Sequence, residues 1–181
     1  MTIEQIVNQI PDYARDLRIN LPNVLKQAEL TEQQGWGTAV ACAIASRNAE
    51  LVQAVLEEAP AHLSPEALQG AKAAAAIMGM NNIYYRFQHL VGNDAYRSIP
   101  ARLRMQMIRM HGADPVDFEL WCAAVSAING CGACLASHEA AVREKGVTED
   151  KVAAAIRIAS VLHAVAAVLD AEAAVGVAAT A

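Results

Sequence analysis

Two cysteines stand three residues apart in Gly130-Cys131-Gly132-Ala133-Cys134-Leu135-Ala136-Ser137-His138, and a histidine follows four residues after the second. Residues three and four apart share a face of a helix. A helical reading therefore puts Cys131, Cys134 and His138 on one stripe, with the imidazole one turn beyond Cys134. Glu119 stands twelve residues before Cys131, at the far end of an apolar run. Two thiols, a base and a carboxylate are the parts of a redox site. Asn129-Gly130 is a helix stop, so a new helix can begin at Cys131. Free N–H groups and the helix dipole at such a start favour an anion and lower a thiol's pKa. The helix-start argument makes Cys131 the more acidic thiol, whereas the imidazole spacing favours Cys134.

Other readings of the pair are weaker. Residue 135 is Leu, so the haem-attachment pattern CxxCH fails. No second Cys/His pair is spaced to complete four zinc ligands, and no metal is expected. A thioredoxin fold needs strands around the motif, and the flanks are helical in pattern. The plain alternative is that Cys131 and Cys134 are small buried hydrophobes and His138 a satisfied core histidine. Cys42 and Cys122 are expected to be such core residues. His62, His89, His111 and His163 show no partner pattern. Arg97, Arg102, Arg104 and Arg109 read as a solvated or subunit-bridging face.

The elements that must hold this stretch are helical. Of 181 residues, 55% are hydrophobic but only 4% aromatic, and Gly and Pro are few. Ala is the best helix former. The composition therefore predicts an all-α protein with close helix packing and some surface buried against other subunits. The net charge of -5 argues against a nucleic-acid partner. The N-terminus lacks the pattern of a signal peptide, and the uncharged stretch 158–169 is too short to span a bilayer. A cytoplasmic protein is expected, with no membrane partner. There, paired cysteines are more often redox-active than structural.

Periodicity predicts helices over 3–10, about 12–28 with a break at Pro22, 31–57, 65–79, 116–128, 131–144 and 149–169. Asn81-Asn82-Ile83-Tyr84-Tyr85-Arg86-Phe87 reads as an aromatic cluster capping the first half. An offset of 84 residues sets Ser64 on Thr148, Leu68 on Val152 and Ala71 on Ala155 without a gap. The chain thus reads as one domain, 1–181, with repeat 1 at about 31–95 and repeat 2 at about 115–179. At this offset Arg47 and Glu50 match Cys131 and Cys134, so the first half lacks the thiols.

Glu119-x11-Cys131-x2-Cys134-x3-His138 on the second repeat resembles the alkylhydroperoxidase AhpD family, within the carboxymuconolactone decarboxylase-like superfamily. The segment 81–87 is similar to that family's mid-chain signature. The resemblance covers essentially the whole chain. It implies an AhpD-like all-α fold, a homotrimer, and a thiol-dependent peroxidase acting on alkyl hydroperoxides, with no bound cofactor. It implies a redox disulfide, Cys131–Cys134. Cys134 would attack the peroxide, Cys131 would resolve and donate a proton, and His138 and Glu119 would relay protons. It further implies reduction of the peroxiredoxin AhpC, with dihydrolipoamide as reducing cosubstrate. Those electrons would come from the lipoylated acyltransferase of a 2-oxoacid dehydrogenase, recharged by lipoamide dehydrogenase. Some family members carry a second histidine directly before the second cysteine, where this chain has Ala133. Two rival classes are a lactone decarboxylase using His138 or Glu119 as base, and a helical interaction protein without catalysis.

Overall fold

Helix starts are capped where the sequence marks them. The computed structural model describes the backbone of residues 1–180 and the side chains of residues 1–176; Ala181 lies outside the described residues. Among the described residues the chain is helical, with no strand. Helices α1 (Ile3–Gln9) and α3 (Glu32–Ser46) both open on capping boxes, Thr2 with Gln5 and Thr31 with Gln34. Such a cap contributes about 1 kcal/mol by occupying N–H groups that lack a partner within the helix. Between them lies α2 (Asp16–Val24), which continues through Pro22 rather than breaking there. Then come α4 (Ala49–Glu58), α5 (Pro65–Leu90), the short α6 (Met107–Met110), α7 (Pro115–Ile128), α8 (Gly132–Glu144) and α9 (Glu149–Thr180).

The centre of the molecule is α3 packed on α7 and α9. All ten residues from Gln34 to Ala43 are buried, and so are nine between Asp117 and Ser126. Helices apolar all round belong in a core. The two central helices are pinned at their starts by polar contacts. Gln33 Nε2 donates to Asp117 Oδ2 at 2.7 Å, and Gln34 Nε2 donates to Oδ1 at 2.9 Å. That satisfies a carboxylate which burial would otherwise penalise.

Three further predicted boundaries differ. The pattern over 31–57 is two helices, because Arg47 adopts φ 67° and Asn48 caps a new helix by accepting the Leu51 N–H at 2.8 Å. Both helices face one core, so the apolar period runs across the joint unbroken. The segment 81–87 caps nothing: α5 continues through it to Leu90, and no Pro interrupts it. The last helix outruns 169 and reaches Thr180. The stretch 158–169 is therefore part of a longer one, Glu149–Gly176, which by length and composition alone could cross a membrane. Yet Ile158, Leu162, Val165 and Leu169 are buried within the chain. Its polar side chains tie inward too: Asp170 accepts from Asn48 at 2.7 Å, and Arg157 donates to Gln27 at 2.5 Å.

The starts of α3 and α4 precede those of α7 and α8 by 83 residues, and that of α5 precedes α9 by 84. The offset thus slips by one before α9. Asn48 and Leu51, not Arg47 and Glu50, are then the counterparts of Cys131 and Cys134. Backbone geometry agrees, since Arg47 (φ 67°) matches Gly130 (φ 68°), each just before a helix-capping residue.

Small residues permit this packing. A Cβ at Gly37 would lie 2.2 Å from Trp121 Cε2, whereas one at Gly35 would meet nothing within 4 Å. Trp121 is fully buried. Gly37→Ala should therefore destabilise by about 1–3 kcal/mol through overpacking, and Gly35→Ala should be neutral or stabilising. Thermal unfolding of the two variants checks this; equal melting temperatures would contradict it.

Candidate active site

The site is built at the joint between α7 and α8. α7 ends at Ile128, with Gly130 in the left-handed region at φ 68°. The Cys131 N–H bonds the Ser126 carbonyl at 3.1 Å and the Gly130 N–H bonds the Ala127 carbonyl at 3.2 Å. Those two bonds are a Schellman stop, which glycine forms without steric cost. Cys131 is the N-cap of α8, one residue ahead of the helix, and its Sγ accepts the Cys134 N–H at 3.3 Å. Sulfur thus takes the place that an oxygen takes at Asn48. The two sulfurs are at bonding distance, an oxidised pair.

Polar contacts from α5, one of them fully buried, clamp this joint. Asn82 Nδ2 donates to Ser126 Oγ at 2.9 Å, and Asn129 Nδ2 donates to Asn82 Oδ1 at 2.9 Å. Arg86 Nη1 donates to the Asn129 carbonyl at 2.5 Å. At the far end of α8, Arg143 reaches the Val147 carbonyl and Glu149, fixing the turn into α9.

One turn beyond Cys134, His138 Nδ1 lies 2.6 Å from Glu119 Oε2 on α7. An ionised carboxylate can only accept, so Nδ1 carries the proton and Nε2 is the basic nitrogen. Nε2 faces Met78 Sδ at 3.2 Å, and a thioether has no hydrogen to donate, so the nitrogen's lone pair is not spent in a hydrogen bond. The imidazole side chain is 14% exposed and the Glu119 side chain 30%. Cys134, Ser137 and His138 line a cavity of about 300 Å³ with Ala133, Met78, Asn81, Tyr85, Met105 and Ile108. Cys131 is not in its wall and is 1% exposed. The arrangement provides one thiol on a mostly apolar cavity, a second thiol bonded behind it, and a carboxylate-oriented base beside it. Thiol oxidation and disulfide exchange are the chemistry this set can carry.

The sequence profile of the carboxymuconolactone decarboxylase family matches residues 95–176. The alkyl hydroperoxide reductase AhpD of Solibacter usitatus is 63% identical over 173 residues, covering 96% of this chain and 98% of that protein. The AhpD of Acidobacterium capsulatum is 57% identical, over 95% and 94%. That of Gluconacetobacter diazotrophicus is 54% identical, over 97% of each chain. The chain belongs to the AhpD family.

All four residues singled out in the sequence, Glu119, Cys131, Cys134 and His138, meet at one place. Sequence reasoning missed the clamp of Asn82, Ser126, Asn129 and Arg86, and the cavity wall at Met78 and Asn81. A usable signal was present: two adjacent asparagines interrupt a helix otherwise rich in alanine. His62 and His111 also have partners. His62 Nδ1 lies 2.5 Å from Glu32 Oε1 and its ring stacks on Trp36 at 4.1 Å. These line a larger cavity of about 920 Å³ under the N-terminal arm, whose wall holds no thiol. His111 stacks on Phe118 at 3.8 Å, and burial holds its pKa below the usual value.

Cys42 and Cys122 are fully buried, and burial pushes both thiols up. The native protein, once reduced, should therefore offer a thiol reagent Cys134 on its cavity wall, and Cys42 and Cys122 only in denaturant. Raising the pH to 9 should not release that buried pair. Above that pH the unfolded chain ionises these thiols while the folded chain keeps them protonated, so stability should fall. A native count above two, or a flat alkaline stability curve, would contradict this placement.

Proposed function

We propose that this chain is a thiol-dependent alkyl hydroperoxide reductase that cycles Cys131 and Cys134 between dithiol and disulfide. The observation that carries it is the shared cavity wall of Cys134 and His138, with Cys131 bonded behind one and Glu119 hydrogen-bonded behind the other. The name of the relatives, alkyl hydroperoxide reductase AhpD, supports the same reading. His138 Nε2, its ring oriented by Glu119, takes the Cys134 proton. The thiolate attacks the terminal oxygen of ROOH, leaving a sulfenic acid and ROH. Cys131 then displaces water to give the disulfide. The positions of the two thiols support this division: Cys134 faces the cavity, and Cys131 sits at the helix start.

The finer reading rests on the family resemblance. Dihydrolipoamide re-reduces the disulfide by thiol exchange, fed by a lipoylated acyltransferase and lipoamide dehydrogenase in the cytoplasm. AhpC is a second acceptor of the electrons. Ala133, in the cavity wall, leaves open the volume that an imidazole would fill at that position.

An NADH-coupled assay with lipoamide dehydrogenase, lipoamide and tert-butyl hydroperoxide tests the cycle. Turnover is expected in the wild type, and a loss of about a hundredfold or more in Cys131→Ser and Cys134→Ser, since each removes a reacting atom. Sulfenic acid should be trapped in Cys131→Ser and not in Cys134→Ser; the reverse would overturn the assignment. No loss of thiols at millimolar peroxide would leave the decarboxylase or interaction readings instead.

The homotrimer is supported by a surface that a lone chain leaves bare. Ile83, Phe87, Leu90, Ile99, Met107 and Met110 are exposed at 45–70% and cluster on the end of α5 and the connector after it. Apolar patches of this kind mark subunit interfaces. Light scattering on the intact chain should give three copies, and Phe87→Glu with Leu90→Asp should give one. A wild-type monomer would sink the proposal.

A further inference from the structure

Two adjacent asparagines on α5 are both buried, yet they differ in how their amides are used. Asn82 spends its amide on Ser126 and Asn129 at the α7–α8 joint. Asn81 is 4% exposed, and its Oδ1 is sealed from solvent with no hydrogen-bond partner. Buried polar atoms are nearly always paired, so an orphan points to a missing ligand. The Asn81 side chain belongs to the wall of the 300 Å³ cavity with Cys134 and His138. Met78, Met105 and Ile108 make most of the remaining wall apolar, and the Tyr85 hydroxyl is turned onto Met105 Sδ at 3.7 Å. Asn is also a poor helix former, in a helix where alanine fills the buried positions 71, 74 and 75.

Resting on the peroxidase reading, we propose that the Asn81 carboxamide binds the hydroperoxide and sets its O–O bond against Cys134. The O–H of ROOH is the donor that Oδ1 lacks, and the soft terminal torsion of asparagine lets the amide turn to meet it. The hydroxyl-bearing oxygen is then held at the sulfur. Cys134 thiolate attacks that oxygen; the S–O bond forms as the O–O bond breaks. Sulfur gives up two electrons, and the peroxide takes them as alkoxide. The proton that His138 Nε2 took from Cys134 completes ROH. The hydrogen held by Asn81 stays on the oxygen, now part of the sulfenic acid, and leaves as water when Cys131 closes the disulfide. The amide is needed for the peroxide half-reaction alone; reduction of the disulfide by a dithiol does not use it.

The test separates the two half-reactions on the intact protein. In Asn81→Ala, single-turnover oxidation by tert-butyl hydroperoxide should lose about tenfold or more in second-order rate, the scale of one hydrogen bond to a reacting group. Reduction of the Cys131–Cys134 disulfide by dihydrolipoamide should keep the wild-type rate. The melting temperature should hold or rise, because an unpaired buried carbonyl is removed; a structural role would lower it. Asn81→Asp provides a second readout. Its carboxylate beside Cys134 should shift the pH profile of peroxide oxidation to higher pH. Wild-type peroxide rates in Asn81→Ala, or equal losses in both half-reactions, would overturn the assignment while leaving the peroxidase reading intact. A wild-type dithiol that ignores hydroperoxide would overturn both.

Discussion

A helix start needs acceptors for its first N–H groups, and in α8 one of them is a cysteine sulfur. Cys131 can cap only because α7 stops three residues earlier, at a Schellman turn that Gly130 closes with φ 68°. The cap position gives Cys131 the field of a helix N-terminus and puts Cys134 one turn on, within bonding distance. His138 follows a further turn along and reaches back to Glu119 on α7. The stop of α7 therefore sets where Cys134 and His138 stand on the cavity wall.

That joint is held from outside its own two helices. Asn82 and Arg86 on α5 bond Ser126 and Asn129 on either side of the turn. Asn82 and Ser126 are fully buried, and polar groups so placed are costly unless their partners are met and resist repacking when they are. Close approach of the helices makes those bonds possible. Gly37 admits the face of Trp121, and buried alanines line α5 where it meets α3 and α7. The tight core therefore fixes the geometry at which a thiol and an imidazole share one wall, with a carboxylate hydrogen-bonded behind the imidazole.

The two joints show how little separates a helix start capped by oxygen from one that holds a thiol pair. At the α3–α4 joint, Asn48 caps with an oxygen and Leu51 packs fully buried one turn on. At the α7–α8 joint, sulfur occupies both places. We read these as two copies of one helical unit, with chemistry introduced at a cap that the fold requires in either case. The one-residue slip before α9 explains why a gapless comparison pairs the thiols with Arg47 and Glu50. The helix starts agree to within a residue, while the side chains between them are matched one place off.

Much of this was legible in the chain alone. Helix type followed from alanine content and apolar period, and the stop at Asn129-Gly130 with a thiol after it located the site, because capping is local chemistry. The pairing of Glu119 with His138 came from the family resemblance, and their 2.6 Å contact depends on how α7 crosses α8. The joint at Arg47 escaped notice because both helices face one core and the apolar period does not register a single left-handed residue. Asn81 and Asn82 were indistinguishable as neighbours in sequence. Only packing decided that one amide would brace the turn and the other would face the cavity unpaired, since adjacent helical residues point about 100° apart and meet different helices.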